Sequence, residues 1–448
     1  MPATRALGAL ALALLAAGGC DGGGMGDDQP PELDLDGDGF SPQEGDCDDA
    51  RATSPPGAPE WCNGKDDDCD GVVDEDLDQD LDGFTVCQGD CADNDPAAYQ
   101  GATEAIDGRD NDCDGFVDNH NDQFDDDGDG WSEDQGDCDD LETDDHHGRL
   151  INPGAIEVAA LDDGTAEGID NDCDGAIDEP LAPDCETGLD PADTMDYARA
   201  LGLCDRVALA RFEQPTAAPA RGIRDHFGAT YLPRAGAALV VLSSGLVLDE
   251  NDAGFVPHED GGGGGGTSFG DADVHAHPAP GPGVGFCAFP DPPEVNDYAE
   301  LRLEVQVPTN AQSFSFDFAF MSAEYPEWVC SEFDDTFVAM LSSQAFSGNV
   351  SFDSMGHPVS INVGFFTVCP VGSTPGCTGD AELVGTGYQG AVGGGTGWLT
   401  TTSPVVPGEK ITLRFVIFDE GDHVLDSTVL IDNFRWKLQA IDTPVTEG

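Results

Sequence analysis

Aspartates at alternate positions, followed by glycine, form six short motifs in the first part of the sequence. Three of them, the longer loops, run Asp-x-Asp-x-Asp-Gly-aromatic and place a further aspartate beside a cysteine eight residues after the third aspartate. In the other three, the shorter loops, a fourth aspartate comes four residues after the third. Alternate side chains of a curved loop can converge on one hard cation, and glycine permits the left-handed turn. The motifs therefore predict calcium sites.

The candidate metal ligands are carboxylates in all six loops. Those of the longer loops are Asp34, Asp36, Asp38, Asp46, Asp78, Asp80, Asp82, Asp90, Asp125, Asp127, Asp129 and Asp137. Those of the shorter loops are Asp66, Asp68, Asp70, Asp74, Asp110, Asp112, Asp114, Asp118, Asp170, Asp172, Asp174 and Asp178. Because carboxylates this close repel one another at physiological salt, the loops are expected to close only around a cation. Oxygen ligands suit calcium and are poor for copper, which stays a minor alternative.

The segments that carry these loops are predicted to contain little regular secondary structure. No amphipathic helical period flanks the loops and none has glutamate at its twelfth position, which excludes an EF-hand. Apolar content is too low for a hydrophobic core, so order is expected to come from metal ions and disulfides. Longer and shorter loops alternate in three repeats, 34–76, 78–119 and 125–180, which form a predicted module of residues 34–180.

The 15 cysteines include no CxxC pair and indicate disulfides formed in an oxidising compartment. They recur in register with the repeats, so each repeat is predicted to close its own bridge, with one more bridge between the first two repeats. These pairs are Cys47 with Cys69, Cys91 with Cys113, Cys138 with Cys173, and Cys62 with Cys87. The other disulfide candidates are Cys185, Cys204, Cys287, Cys330, Cys369 and Cys377.

The N-terminus resembles a bacterial lipoprotein signal. Arg5 precedes an apolar run that is too short to span a bilayer and that ends in small residues before Cys20. We expect residues 1–19 to be a signal peptide, Cys20 to be lipidated and residues 20–33 to be a flexible tether, with ordinary signal cleavage as the alternative. The chain is then exported and anchored by lipid to the outer membrane or cell surface.

Charge excludes one class of partner. The 448 residues contain 16 Lys and Arg against 90 Asp and Glu, a formal net charge of −74. Such a field attracts cations and repels phosphate backbones, so no nucleic acid partner is expected.

Apolar runs of strand length, separated by Gly, Pro and Ser, follow from residue 181 and predict an all-β sandwich, jelly-roll-like, over 181–441. A short helix is expected near Asp190 to Leu201. The predicted strands are Ala237 to Leu248, Glu300 to Val307, Ser313 to Phe320, Asp335 to Leu341, Val359 to Thr367, Lys410 to Phe418 and Thr428 to Trp436. Rings alternate with small or polar residues in Ser313 to Phe320, which predicts one buried face.

Acidic residues at the ends of these strands could gather around a further metal ion, or could be ordinary solvated loop acids. The possible ligands are Glu324, Asp335, Asp419, Asp426 and Asp432.

Two parts of the sequence resemble known families. Asp36-Gly-Asp-Gly-Phe40, Gly45-Asp-Cys-Asp-Asp49, Asn152 to Glu157 and Gly168 to Gly175 are similar to the metal-binding repeat of MopE-type bacterial surface proteins, a family associated with copper. Phe320 to Glu327, Phe333 to Phe337 and Asp426 to Phe434, with Ala198 to Gly202 and Leu239 to Gly245, resemble the choice-of-anchor L domain of bacterial surface proteins. The second resemblance implies display on a surface more than a reaction.

These observations predict a non-enzymatic surface lipoprotein in which a calcium-binding stalk displays a β-sandwich for adhesion, with a surface glycan or a protein as ligand. One alternative is a surface protein whose function is metal binding by the repeats, of copper or calcium. The other is a secreted hydrolase with its active site in the sandwich loops. Residues 266–270 match GxSxG by letters, but they follow polyglycine where the mechanism needs a strand-to-helix elbow.

Overall fold

The structure, a computed structural model, describes residues 33–58, 60–74, 78–119, 121–143, 146–157, 168–177, 185–213, 218–256, 275–278, 294–331, 333–362, 365–372, 376–390, 393–420 and 424–448. The chain divides into two compact units between Asn121 and Asp122. The first two repeats belong to the first unit, and the third repeat belongs with the predicted sandwich to the second. Within the described ranges, no helix is both long and apolar enough to cross a membrane.

The first unit has almost no hydrophobic core. Ala98 is the one buried hydrophobic residue among the described residues of that unit, while Trp61 and Phe116 are 65% and 68% exposed. Its regular elements, in the part that the structure describes, are the 3-10 helical turns Pro42–Glu44 and Val86–Gln88. A unit without a core depends on its covalent and polar links, as the composition predicts.

Disulfides supply part of those links. Of the bridges whose two cysteines are both among the described residues, three lie in the first unit and three in the second. The pairs are Cys47–Cys69, Cys62–Cys87, Cys91–Cys113, Cys138–Cys173, Cys185–Cys204 and Cys369–Cys377. The bridges within each repeat and between the first two repeats are the predicted ones. Cys330 is also disulfide-bonded, while Cys20 and Cys287 lie outside the described residues.

The second unit is mostly β-structure. Its helix α1 is Thr194–Arg199, and 3-10 turns lie at Glu133–Gln135, Gly148–Leu150, Ala218–Ala220 and Ala381–Leu383. Its strands are β1 Glu142–Thr143, β2 His146–His147, β3 Val207–Phe212, β4 Arg221–Arg224, β5 Leu239–Ser243, β6 His275–Ala276, β7 Glu294–Gln306, β8 Ser313–Ser322, β9 Thr336–Ser342, β10 Ser347–Asn349, β11 Val359–Ser360, β12 Gly394–Pro404, β13 Lys410–Asp419, β14 Ser427–Lys437 and β15 Val445–Glu447.

Two antiparallel sheets form the predicted sandwich. The first has the order β10-β9-β13-β7-β3, with β11 paired to β9 and β6 to β7. The second has the order β15-β12-β8-β14-β5-β4. Rings from the two sheets meet in the core, where the ring centroids of Phe316 of β8 and Phe415 of β13 are 5.0 Å apart. Phe318 of β8 lies 4.9 Å from Phe337 of β9.

Strand β8 is buried on both faces, so the expectation of one buried face is wrong. All ten of its residues are buried. One face supplies the rings of the core between the sheets. Ala319 and Met321 on the other face join a second apolar cluster with Tyr231 and Leu383, which lie in segments between strands. Loop residues therefore cover the outer face of the second sheet, so β8 is buried between the core on one side and these loops on the other.

Hydrogen bonds connect the third repeat to the sandwich. The guanidinium of Arg206, just before β3, donates to the carbonyl oxygens of Gly154 at 2.8 Å and Ala155 at 2.7 Å. The side chain of Asn310, between β7 and β8, accepts from the N–H of Ile156 at 3.0 Å and donates to its carbonyl oxygen at 2.9 Å. The compact unit therefore begins before the third repeat, although the amino-acid composition changes only near residue 181.

Candidate metal centre

Each longer loop is held by hydrogen bonds from backbone N–H groups to its own carboxylates. In the first repeat, Asp34 accepts from Gly37 at 2.6 Å and from Gly39 at 3.1 Å. Asp36 accepts through Oδ1 from the N–H of Asp38 at 3.1 Å, and Asp38 accepts through Oδ1 from Phe40 at 2.9 Å. One oxygen of each of these last two carboxylates thus shapes the turn, which leaves the second oxygen for another role.

The second oxygens are enclosed and have no hydrogen-bond partner. The same atom, Oδ2, is left in this state at equivalent positions of all three longer loops. These residues are Asp36, Asp38 and Asp46, then Asp80, Asp82 and Asp90, then Asp127 and Asp137. Within each Asp-x-Asp-x-Asp run, carboxylate oxygens from the three aspartates lie within 4.8 Å of one another. Buried acceptors without partners are unfavourable, and a cation among them would satisfy several at once.

A further aspartate joins each longer loop, three residues after the one beside the cysteine. Asp49 accepts from the N–H of Leu35 at 3.0 Å, Asp93 from Gln79 at 3.0 Å, and Asp140 from Asp126 at 2.8 Å. The Oδ2 atoms of Asp93 and Asp140 are also buried without a hydrogen-bond partner. Sequence reasoning missed these residues because they lie outside the alternating run, although the Gly-Asp-Cys-x-Asp spacing is the same in all three repeats.

The shorter loops are built around a glutamate that sequence reasoning did not choose. Glu60 accepts through Oε1 from the N–H groups of Asp67 and Asp68, both at 2.7 Å. Glu104 accepts from Asp112 at 2.7 Å, and Glu157 from Asp172 at 3.1 Å. The signal was available, since each glutamate ends a Gly-Ala-x-Glu string.

Metal ions could also fit the shorter loops, with more exposed ligands. Carboxylate oxygens of Glu60, Asp66 and Asp68 lie within 4.8 Å of one another, as do those of the equivalent residues Glu104, Asp110 and Asp112. In the third shorter loop, Asp170 accepts from Asp174 and Gly175, and Asp172 also accepts from Asp174. Asp70, Asp114 and Asp174 are exposed.

The last aspartate of each shorter loop closes a turn. Asp74 accepts from the N–H groups of Asn63 and Gly64, and Asp118 accepts from Asp107 and Gly108. Asp178 lies outside the described residues, as does the GxSxG match at 266–270.

Burial and mutual repulsion raise carboxyl pKa values in the longer loops. The effect is largest in the third repeat, where burial, with repulsion from Asp129 and other neighbours, raises the pKa of Asp127 to about 7. Burial raises the pKa values of Asp137 and Asp140 to about 6. Burial also raises the pKa of Asp36 in the first repeat. The fold therefore holds these carboxylates close together despite the electrostatic repulsion between them.

Acidification is expected to weaken the binding of a divalent cation, with calcium as the probe, at the third longer loop by about a hundredfold between pH 7.5 and pH 5.5. Asp127 and Asp137 must lose protons to bind a cation, and their raised pKa values, about 7 and about 6, place those protons in this range. Calorimetric titration of the full chain, with Asp127→Asn to identify the site, gives the affinity. Equal affinity at both pH values would contradict the expectation.

The stability of the metal-free protein is expected to change in the opposite direction and to increase as the pH falls. The folded form binds protons at Asp127 more tightly than the unfolded chain, whose carboxyl has an ordinary pKa near 3.8. This contribution to metal-free stability is therefore complete below about pH 4 and is lost as the pH rises towards 7.

Leu81 is expected to weaken the second longer loop, because its backbone is left-handed, with φ of 69°. Gly37 and Gly128 occupy the same position in the other two repeats. Leu81 is 83% exposed, so Leu81→Gly removes no packing. We expect this change to stabilise the unit by about 0.5–1 kcal/mol, measured by chemical denaturation, because the left-handed penalty exceeds the added entropy of glycine. Val86→Gly, at an exposed position outside that conformation, is the control and should destabilise.

In the sandwich, four of the five predicted acidic residues are adjacent and the fifth is distant. Glu324, Asp335, Asp419 and Asp426 lie at the ends of β8, β9, β13 and β14. Asp432 lies six residues beyond Asp426, about 20 Å away at the rise of an extended strand.

Asp432 belongs to a different polar group. It pairs with Asp317 across β14 and β8 and accepts from the N–H groups of Arg234 and Ala235. Burial raises its pKa to about 6. The structure therefore does not bring Asp432 to the other four acids.

Comparison with known families agrees with this architecture. Residues 235–435 match the model of the Choice-of-anchor L domain. Residues 46–75, 90–119 and 137–179 match a model described as "Putative metal-binding motif", whose name includes copper and MopE. Each of these matches begins at the aspartate beside the cysteine, so the alternating run before it lies outside the motif. No curated protein matches the chain. The chain thus combines three MopE-type metal-binding motifs with a choice-of-anchor L domain, an architecture that indicates a surface-associated protein.

Proposed function

We propose that this chain is a non-enzymatic cell-surface lipoprotein in which calcium-binding repeats carry a β-sandwich that contacts a ligand outside the cell. The observation that carries the calcium proposal is the set of enclosed Oδ2 atoms without hydrogen-bond partners in the longer loops. They recur at equivalent positions in three repeats that share no more than short motifs, which favours one common ligand over chance.

The chemistry of these atoms favours calcium. Calcium takes six to eight oxygen ligands at flexible geometry, whereas copper prefers imidazole or sulfur. The ligand atoms in the loops are carboxylate oxygens, and the cysteines beside them are in disulfides. We assign the tightest sites to the three longer loops, because their ligands are the more enclosed, and weaker sites to the shorter loops.

Metal counting tests this assignment. The full chain is dialysed against calcium, magnesium or copper(II), and bound metal is measured by mass spectrometry and calorimetry. We expect calcium to bind in preference to magnesium, and Asp36→Asn to remove one tight calcium ion. Asp205→Asn, at an acid whose side chain is 69% exposed in the other unit, should remove none. Calcium binding that is unchanged by Asp36→Asn would refute the assignment.

Copper handling is the second candidate, favoured by the copper in the name of the matched motif. The same titration decides between the two. Copper(II) bound more tightly than calcium, and lost on Asp36→Asn, would make metal handling the function of the repeats and the sandwich their support.

Surface attachment is proposed through lipid on Cys20. Cells that express the full chain are fed a labelled fatty acid, and we expect label on the wild type and none on Cys20→Ser. The protein on intact cells should be accessible to added protease. Absence of label from the wild type would leave ordinary signal cleavage as the explanation.

Contact with a ligand outside the cell is the role proposed for the sandwich. Glu324 and Asp432 are 1% and 0% exposed, so neither can touch a glycan directly. The test is attachment of beads coated with the full chain to cells, with a glycan-stripped surface as comparison. Attachment that requires calcium would support adhesion, and equal attachment of beads coated with an unrelated acidic protein would refute it.

A further inference from the structure

Four buried carboxylates meet at one end of the sandwich. This carboxylate cluster consists of Glu324, Asp335, Asp419 and Asp426. Their exposed fractions are 1%, 0%, 2% and 5%. Ionised carboxylates are almost never buried without a compensating charge, because each costs several kcal/mol to remove from water.

Strand register explains how distant parts of the sequence reach one place. In the first sheet, β13 and β9 are antiparallel and pair Phe418 with Thr336, so the next positions, Asp419 and Asp335, face each other. In the second sheet, β14 and β8 pair Ser427 with Ser322. Asp426 and Glu324 continue these two strands at the same end. Each sheet thus contributes two carboxylates.

Hydrogen bonds connect the two halves of the cluster. Glu324, from the second sheet, accepts through Oε2 from the N–H of Asp335 at 3.0 Å. The hydroxyl of Ser244, which follows β5, donates to Oδ2 of Asp335 at 3.3 Å. The cluster is therefore part of the junction between the sheets and is not a set of solvated loop acids.

The other oxygen of Asp335 has no partner. Oδ1 is sealed from solvent and makes no hydrogen bond. The hydroxyl of Ser427 lies near this carboxyl group, but its oxygen is also sealed from solvent without a hydrogen bond. A fully buried carboxylate oxygen that lies near other carboxylates and makes no hydrogen bond is in an unusual and unfavourable arrangement. It points independently to a ligand that the polypeptide does not provide.

We propose that the carboxylate cluster is a buried calcium site that joins the two sheets of the choice-of-anchor L domain. Four carboxylates supply enough oxygen atoms for a hard divalent cation, and a cation among them replaces their repulsion with coordination. This site is separate from the repeats and does not depend on their binding any metal.

Two surrounding features agree with a fixed cation. A methyl group at Gly245 would lie 2.0 Å from the carboxylate of Asp426, so only glycine allows that carboxylate its position. The pKa of Asp335 is raised well above its usual range by burial and then by repulsion from Asp419, Glu324 and Asp426. Glu420, beside the cluster, contacts His277 at 3.1 Å and lies near Thr336.

The competing explanation is that the carboxylates of the cluster share protons and bind no metal ion. Replacement of one carboxylate by its amide distinguishes the two explanations. The full chain, equilibrated with calcium and then washed free of loose ions, is counted for bound calcium by native mass spectrometry. We expect Asp335→Asn to hold one ion fewer than the wild type. The matched control is Asp432→Asn, which neutralises another fully buried carboxylate of the same sandwich and should keep the wild-type count.

Asp36→Asn in the same assay keeps this site distinct from the repeats. Loss of one ion in Asp335→Asn, whatever Asp36→Asn does, supports the buried site. An unchanged count in a folded Asp335→Asn protein overturns it and favours shared protons. Because Asp335→Asn could fail to fold, crystals of the wild type soaked in terbium chloride provide a second measurement. An anomalous peak among the four carboxylates supports the proposal, and its absence in crystals that show terbium in the repeats overturns it.

Discussion

Removal of calcium is expected to lower the unfolding temperature of the first unit by about 10–20 °C. With an affinity typical of extracellular modules, about 10⁻⁴ M, and about 1 mM calcium, each occupied site stabilises the folded form by about 1.4 kcal/mol. The two longer loops of this unit then contribute about 3 kcal/mol, and about 1 kcal/mol shifts the midpoint of a domain this size by about 4–8 °C. With one buried hydrophobic residue among those described, little else replaces that energy.

Differential scanning calorimetry of the full chain, with calcium or with chelator, measures this shift. Hydrogen exchange at the amides of Gly39 and Gly83, which donate to Asp34 and Asp78, assigns it to the longer loops. Magnesium at equal ionic strength is the control for screening and should restore only part of the stability. Superimposable transitions in chelator and calcium would show that calcium does not stabilise the longer loops.

Loss of the bridge in the second repeat is expected to unfold the first unit in chelator. The double change Cys91→Ser and Cys113→Ser opens a separation of 22 residues, which destabilises by about 3 kcal/mol. That is comparable to the calcium contribution, so calcium should rescue the variant. The measurement is protease resistance of the first unit at rising calcium concentration.

The matched control opens a bridge in the sandwich. Cys369 and Cys377 are separated by 8 residues, and the core around them contains fully buried residues of both sheets. Serine at both positions should leave the sandwich folded in chelator and in calcium, because burial of apolar surface dominates its stability. Equal sensitivity of the two bridges to chelator would contradict the difference in architecture.

The sequence could predict strands where apolar residues are continuous. β8, β9, β13 and β14 lie within two residues of their predicted bounds, because Val, Ile, Leu and Phe mark buried strands. β7 ends one residue before its predicted end but begins six residues earlier than predicted. Strand β12, Gly394–Pro404, was missed although it pairs with β8 along most of its length. It is rich in glycine and threonine and contains few large apolar residues. Because its burial comes from neighbouring strands, its own composition does not indicate a buried strand. Strand β11 covers only Val359–Ser360 of a longer predicted run.

The candidate site could be predicted where ligands repeat at fixed spacing along the chain. The alternating aspartates were visible for that reason, while Glu60 and Asp93 were not, because they reach the loops from outside the runs. In the sandwich, sequence suggested five acidic residues at strand ends but could not place them. The register of β9 and β13 places Asp335 opposite Asp419. Asp432 lies inside β14, away from the strand end where the other acids meet. Long-range pairing carries that information, and no local pattern records it.

The bonding of the third repeat to the sandwich has a consequence for how this chain can change in evolution. Asn152 accepts from the hydroxyl of Thr309 at 2.6 Å and donates to Asp129, which links the sandwich to the third longer loop. Pro55 and Tyr99, which have no side-chain amide, occupy the equivalent position in the first two repeats. Duplication or deletion of the earlier repeats would therefore leave this junction intact, whereas loss of the third would remove the carbonyl partners of Arg206. We therefore expect the last repeat to be retained with the sandwich, with which it forms one compact unit, while the number of earlier repeats can change.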